Sequence, residues 1–64
     1  MNEQQQALVN AIPATGRIAY EELERNLRSQ GKSLVLQEFH PMRRKKLINA
    51  VVDPADNKLY VSRV

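Results

Sequence analysis

The residues best suited to chemistry in this 64-residue chain are four consecutive cations, Arg43-Arg44-Lys45-Lys46. Arginine forks match guanine edges and phosphate oxygens, and lysine neutralises phosphate as a point charge. His40 and Gln37 precede the run at helical spacing, a donor for a nucleic-acid backbone and an amide that can pair with adenine. Four successive helical residues spread around almost the whole circumference, so only two of the four cations can meet one phosphate strand. The same run also reads as a solvated helix end that suits the negative pole of the helix dipole. His40 likewise keeps a second reading, as a hinge residue beside Pro41.

Other chemistries are poorly supplied. The chain has no cysteine and one histidine, so convergent metal ligands and an acid–base pair around His40 are not expected. Asp53 and Asp56 are spaced like paired carboxylates, but they stand in Asp53-Pro54-Ala55-Asp56-Asn57, where every residue but Ala55 is a turn former. There is no glycine-rich phosphate loop and no nucleophile with a base. An enzyme is not expected, nor a cofactor or a small-molecule substrate.

The charge is uneven. Residues 1–31 carry three basic and four acidic side chains, whereas residues 32–64 carry seven basic and three acidic. An anionic partner would therefore be met by the second half. Apolar runs are no longer than three residues, far short of the roughly 20 needed to cross a bilayer, so no membrane partner is expected. Without cysteines, and with Asn2, Glu3 and three glutamines where a leader would carry basic and apolar residues, the expected location is cytoplasmic. A chain of this length makes one domain, residues 1–64, burying about 60% of the surface its unfolded form exposes.

The elements that must position these residues follow from spacing. Asn2 with Gln5 predicts a capped helix from about Glu3, carrying Leu8, Ala11 and Ile12 on one stripe and stopped by Pro13. Ala14-Thr15-Gly16 predicts a turn, and Arg17-Ile18 a short extended link. A second helix from Ala19 places Tyr20, Leu23 and Leu27 inward, pairs Glu21 with Arg25 and Glu24 with Arg28, and ends at Gly31. Ser33 caps a third, which carries Val35, Phe39 and Met42 and runs to about Lys46, kinked or broken at His40 and Pro41. Leu47–Val52 and Lys58–Arg63 predict a hairpin around the turn cluster, with Leu59, Val61 and Arg63 on one side of its second arm, Tyr60, Ser62 and Val64 on the other, and an outer side that is partly aromatic and basic. The expected core is Leu8, Ile12, Ile18, Leu23, Leu27, Val35, Phe39, Leu47 and Val61.

This order, α+β with three helices and a C-terminal two-stranded wing, resembles the winged helix-turn-helix family over nearly the whole chain. The resemblance is carried by Gly16-Arg17-Ile18-Ala19-Tyr20-Glu21-Glu22-Leu23, by Gly31-Lys32-Ser33, and by Arg44-Lys45-Lys46-Leu47-Ile48 running into Val51–Val61. It implies a small double-stranded DNA-binding protein, a transcriptional regulator or an accessory factor of recombination or replication. Its third helix would enter the major groove while the preceding turn and the wing meet phosphates. The residues implied are Lys32 and Ser33 at the turn, Gln37, His40, Arg43 and Arg44 on the helix, and Lys58 and Arg63 on the wing. Two features depart from the pattern: Leu34-Val35-Leu36 with Glu38 is apolar and acidic for a reading helix, and Pro41 bends it. The alternative is a winged-helix interaction module presenting Leu34, Leu36 and the wing to a protein. Specific binding by so small a domain would also call for a homodimer or a protein partner.

Overall fold

The computed structural model describes residues 2–64. The first helix, α1 (Glu3–Ala11), opens on a reciprocal cap: Asn2 Oδ1 accepts from the Gln5 N–H at 2.8 Å, and Gln5 Oε1 accepts from the Asn2 N–H at 3.2 Å. Two of the N–H groups that a helix start leaves open are thereby satisfied. Ile12 is extended, as the following Pro13 requires, and the helix stops there. Gly16, at φ 81°, turns the chain into β1 (Ile18–Ala19), followed directly by α2 (Tyr20–Ser29).

The end of α2 has the geometry that glycine favours. Gly31 is left-handed at φ 70°, its N–H reaches the Arg28 carbonyl at 3.0 Å, and the Lys32 N–H reaches the Leu27 carbonyl at 2.8 Å.

The third helical element differs from the expectation. Ser33–Glu38 is a 3₁₀ helix, and α3 covers only Phe39–Arg44, so the change of geometry falls between Glu38 and Phe39 rather than at His40 and Pro41. Pro41 is the third residue of α3, within its first turn, where a proline is tolerated. The proline thus belongs to the start of a helix instead of interrupting one.

After α3 the chain repeats the ending of α2 without a glycine. Lys46 is left-handed at φ 61°, its N–H bonds the Arg43 carbonyl at 3.1 Å, and the Leu47 N–H bonds the Met42 carbonyl at 2.9 Å. The first strand of the hairpin consequently begins one residue later than expected: β2 is Ile48–Asp53 and β3 is Lys58–Arg63.

The link at Ile18 is a strand as well. Ile18 pairs with Val61 and Ala19 with Tyr60, which makes a three-stranded antiparallel sheet in the order β1-β3-β2 instead of a two-stranded hairpin alone. β2 and β3 pair without a bulge from Ile48 opposite Arg63 to Asp53 opposite Lys58. By the period of two, Ile18, Ile48, Ala50, Leu59 and Val61 share the helix-facing side, and Ala19, Val51 and Tyr60 share the outer side. The described residues therefore form an α+β fold, with three α-helices and one antiparallel sheet.

The core is Leu8, Ile12, Leu23, Leu27, Val35, Phe39, Met42, Ile48 and Val61. Ile18 is half-buried against it, and Leu47 lies outside at 38% exposure while Ile48 is 1% exposed. The turn at Lys46 causes that exchange, because it redirects the chain so that the second apolar residue points inward. Among the described residues no polar or charged side chain is buried.

Candidate nucleic-acid interface

α3 gathers the basic residues. His40, Arg43 and Arg44, at i, i+3 and i+4, line one shallow exposed concavity, the spacing that puts helical side chains on a common face. Gln37 is exposed in the 3₁₀ segment just before them, and Lys32 and Ser33 are exposed at its start. None of these side chains forms a hydrogen bond or an ion pair among the described residues. Lys45 and Lys46 are exposed beyond the helix end. Glu38, half-buried at the N-terminal boundary of α3, is the one acidic residue between Lys32 and Lys46.

The other two expected contacts are engaged elsewhere. Lys58 Nζ stands 3.2 Å from Glu21 Oε1 in α2, so Glu21 pairs with the hairpin rather than with Arg25. The neighbouring carboxylate raises the Lys58 ammonium above its ordinary pKa. Arg63 donates from Nε to the Ile12 carbonyl at 2.9 Å, closing the end of α1 against β3. The expected pair Glu24 and Arg28 is present at 3.4 Å.

A second cluster, which sequence reasoning did not find, lies on the outer side of the sheet. The Arg17 guanidinium stands 3.9 Å from the centroid of the Tyr60 ring and donates to Asp53 Oδ2 at 2.5 Å. Tyr60 donates its hydroxyl to Asp56 Oδ2, and the Asp53 and Asp56 carboxylates also accept from the Ala55 and Lys58 N–H groups. These donors hold both carboxylates below the usual range: for Asp53 chiefly the Ala55 amide and then Arg17, for Asp56 chiefly the Tyr60 hydroxyl. The Tyr60 hydroxyl is raised by Asp56, and the Arg17 guanidinium by Asp53. No local sequence signal announces this cluster, because Arg17 and Asp53 are 36 residues apart.

Aromatic packing supports the basic helix from beneath. The Tyr20 ring centroid is 4.7 Å from that of Phe39, an offset tilted contact of the favourable kind, and burial pushes the Tyr20 hydroxyl up. Phe39 in turn meets the His40 ring edge-on at 5.3 Å. The two leucines named for protein contact are separated: Leu34 is 61% exposed, whereas Leu36 packs against the core.

The chain matches no family model, no curated protein and no solved structure. Among the described residues no helix is long and apolar enough to cross a membrane.

Proposed function

We propose that this chain is a small winged helix-turn-helix domain that binds double-stranded DNA, through α3 and the turn before it. The observation that carries the reading is the grouping of His40, Arg43 and Arg44 on one exposed face, free of internal partners among the described residues. The element order, a helix, a short strand, two more helical elements and a hairpin, with the sheet order β1-β3-β2, supports the winged-helix assignment.

Arg43 and Arg44 supply bidentate donors to phosphate oxygens, His40 and Gln37 the adjacent hydrogen bonds, and Lys32 with Ser33 further phosphate contacts at the turn. The hairpin tip contributes less than α3. Lys58 and Arg17 stand there among Glu21, Asp53 and Asp56, and both aspartates are held in their charged form. Arg63 is tied to the Ile12 carbonyl and serves the fold first. A regulator of transcription or an accessory factor of recombination or replication would use such a surface.

A fluorescence titration of labelled duplex at several salt concentrations tests the reading. Arg43→Ala and Arg44→Ala should each weaken binding and reduce the log–log salt slope by about 0.9 per lost phosphate contact. Lys58→Ala should change the slope less. No binding at about 50 mM salt with protein near 100 μM would exclude the DNA reading.

The exposed Leu34 favours a second reading, a module that docks a protein partner. Leu34→Ala would then abolish partner binding with little salt dependence, and the α3 arginines would matter less.

A further inference from the structure

The two edges of the sheet are treated differently. β1 is only two residues long, so little of its outer backbone is left open. β2 is six residues long, pairs with β3 without a bulge, and among the described residues has no neighbouring strand on its other side. Its sequence, Ile48-Asn49-Ala50-Val51-Val52-Asp53, holds no proline and no lysine, and no charge before Asp53. Short strands, bulges, prolines and lysines are the usual protections of an open edge, and β2 has none of them. Val51 and Val52 are moreover 62% and 53% exposed, on opposite sides of the strand.

We propose that the open edge of β2 is a self-association surface, on which a second copy of this chain pairs its own β2 antiparallel to form a continuous six-stranded sheet. A two-fold axis perpendicular to the sheet keeps each side chain on its own side, so opposite residues must have the same parity along the strand. The register centred on Val51 meets this condition. It sets Val51 against Val51 of the second copy and Ala50 against Val52, and it sets the Asn49 amide against the Asp53 carboxylate at both ends. Apolar groups then face apolar groups, no like charges meet, and the unpaired N–H and C=O groups of the edge find partners. A register centred on Ala50 would instead oppose Leu47 to Asp53. Six residues give an edge only about 20 Å long, which puts the contact at the small end of specific interfaces and makes the dimer concentration-dependent. The inference does not rest on DNA binding, since none of the α3 cations takes part.

Sedimentation velocity from about 10 μM to about 1 mM, the range in which a small interface associates, should show a monomer–dimer equilibrium for the wild type. Val51→Lys, which places two like charges at the two-fold axis, should shift it at least tenfold toward monomer. An unchanged circular dichroism spectrum and melt would establish that V51K stays folded, as the exposure of the site allows. Val51→Cys gives an independent readout, because directly opposed residues of an antiparallel pair have Cα atoms about 4.5–5.5 Å apart, within disulfide reach. V51C should therefore cross-link on mild oxidation far faster than Gln4→Cys, on the exposed side of α1. A wild type that remains monomeric throughout, a V51K variant that associates as the wild type does, or equal cross-linking of V51C and Q4C would each overturn the proposal. Because sedimentation and cross-linking are carried out without DNA, the failure of the duplex titration and the failure of this proposal are read separately.

Discussion

Gly31 and Lys46 hold the same position at the ends of two different helices. Each is left-handed, at φ 70° and 61°, and in each case the N–H of the next residue reaches back five residues to a helical carbonyl. Glycine adopts this conformation at no steric cost, whereas a lysine Cβ crowds the carbonyl that follows it. Lys46→Gly should therefore stabilise the fold by about 1 kcal/mol, and Gly31→Ala should destabilise it by about the same amount. Beyond the glycine itself and its two chain neighbours, no heavy atom lies within 4 Å of the position a Cβ would take on Gly31, so the cost there is the backbone's alone. Urea unfolding of the two variants checks both signs.

The Arg63 bond to Ile12 separates a structural from a binding role. Arg63→Ala should lower stability by about 1–3 kcal/mol, because the half-buried carbonyl loses its charged donor. Its effect on the salt slope of DNA binding should be smaller than that of Arg43→Ala. A melt unchanged from the wild type would show that the bond contributes nothing to the fold.

Phe39 sits where the third helical element meets Tyr20 and the core, and it is 2% exposed. Phe39→Ala should cost about 3–5 kcal/mol, a large part of the stability of so small a domain. Thermal unfolding followed by circular dichroism should show a strongly lowered midpoint or no cooperative transition at all.

The outer cluster contributes to stability at both ends of the pH range. Asp53 and Asp56 have pKa values lowered by folding, so their stabilisation is complete above the unfolded carboxylate range and is lost as pH falls through the folded values. Tyr60 is shifted upward, so its contribution is complete below the ordinary tyrosine range, near pH 10, and is lost as pH rises through the folded value. The melting temperature should fall below about pH 4 and again above about pH 10. Asp53→Asn should flatten the acid limb, and Tyr60→Phe should flatten the contribution of this cluster to the alkaline limb.

Features written in neighbouring residues were legible, and features written across the chain were not. The cap of Asn2 and Gln5 and the stripes of Leu8, Ile12, Leu23 and Leu27 depend on three- and four-residue spacings, and they stand as expected. Pro41 was visible but ambiguous, since the same residue breaks a helix from inside and suits its first turn. Leu47 and Ile48 exchanged places because a left-handed lysine carries no compositional mark. β1 is too short to show an alternation, and its pairing depends on Val61, 43 positions on. The basic face of α3 follows from helical spacing, but the partners of Arg17, Lys58 and Arg63 are all brought in by the tertiary fold.

The placement of β3 between β1 and β2 fixes the order in which the molecule can assemble. Until Lys58–Arg63 is available, neither β1 nor β2 has a strand of its own chain to bond to, and a chain cut anywhere before the hairpin turn has no intramolecular sheet. On the ribosome, where synthesis runs at about 5–20 residues per second, the helices can form while Ala50-Val51-Val52 waits unpaired. The hairpin then closes within about 1–10 μs once its second arm emerges, and β1 must be captured afterwards across the intervening helices. A chain truncated after Asn57 should accordingly be more readily digested by protease than one that includes Lys58–Arg63.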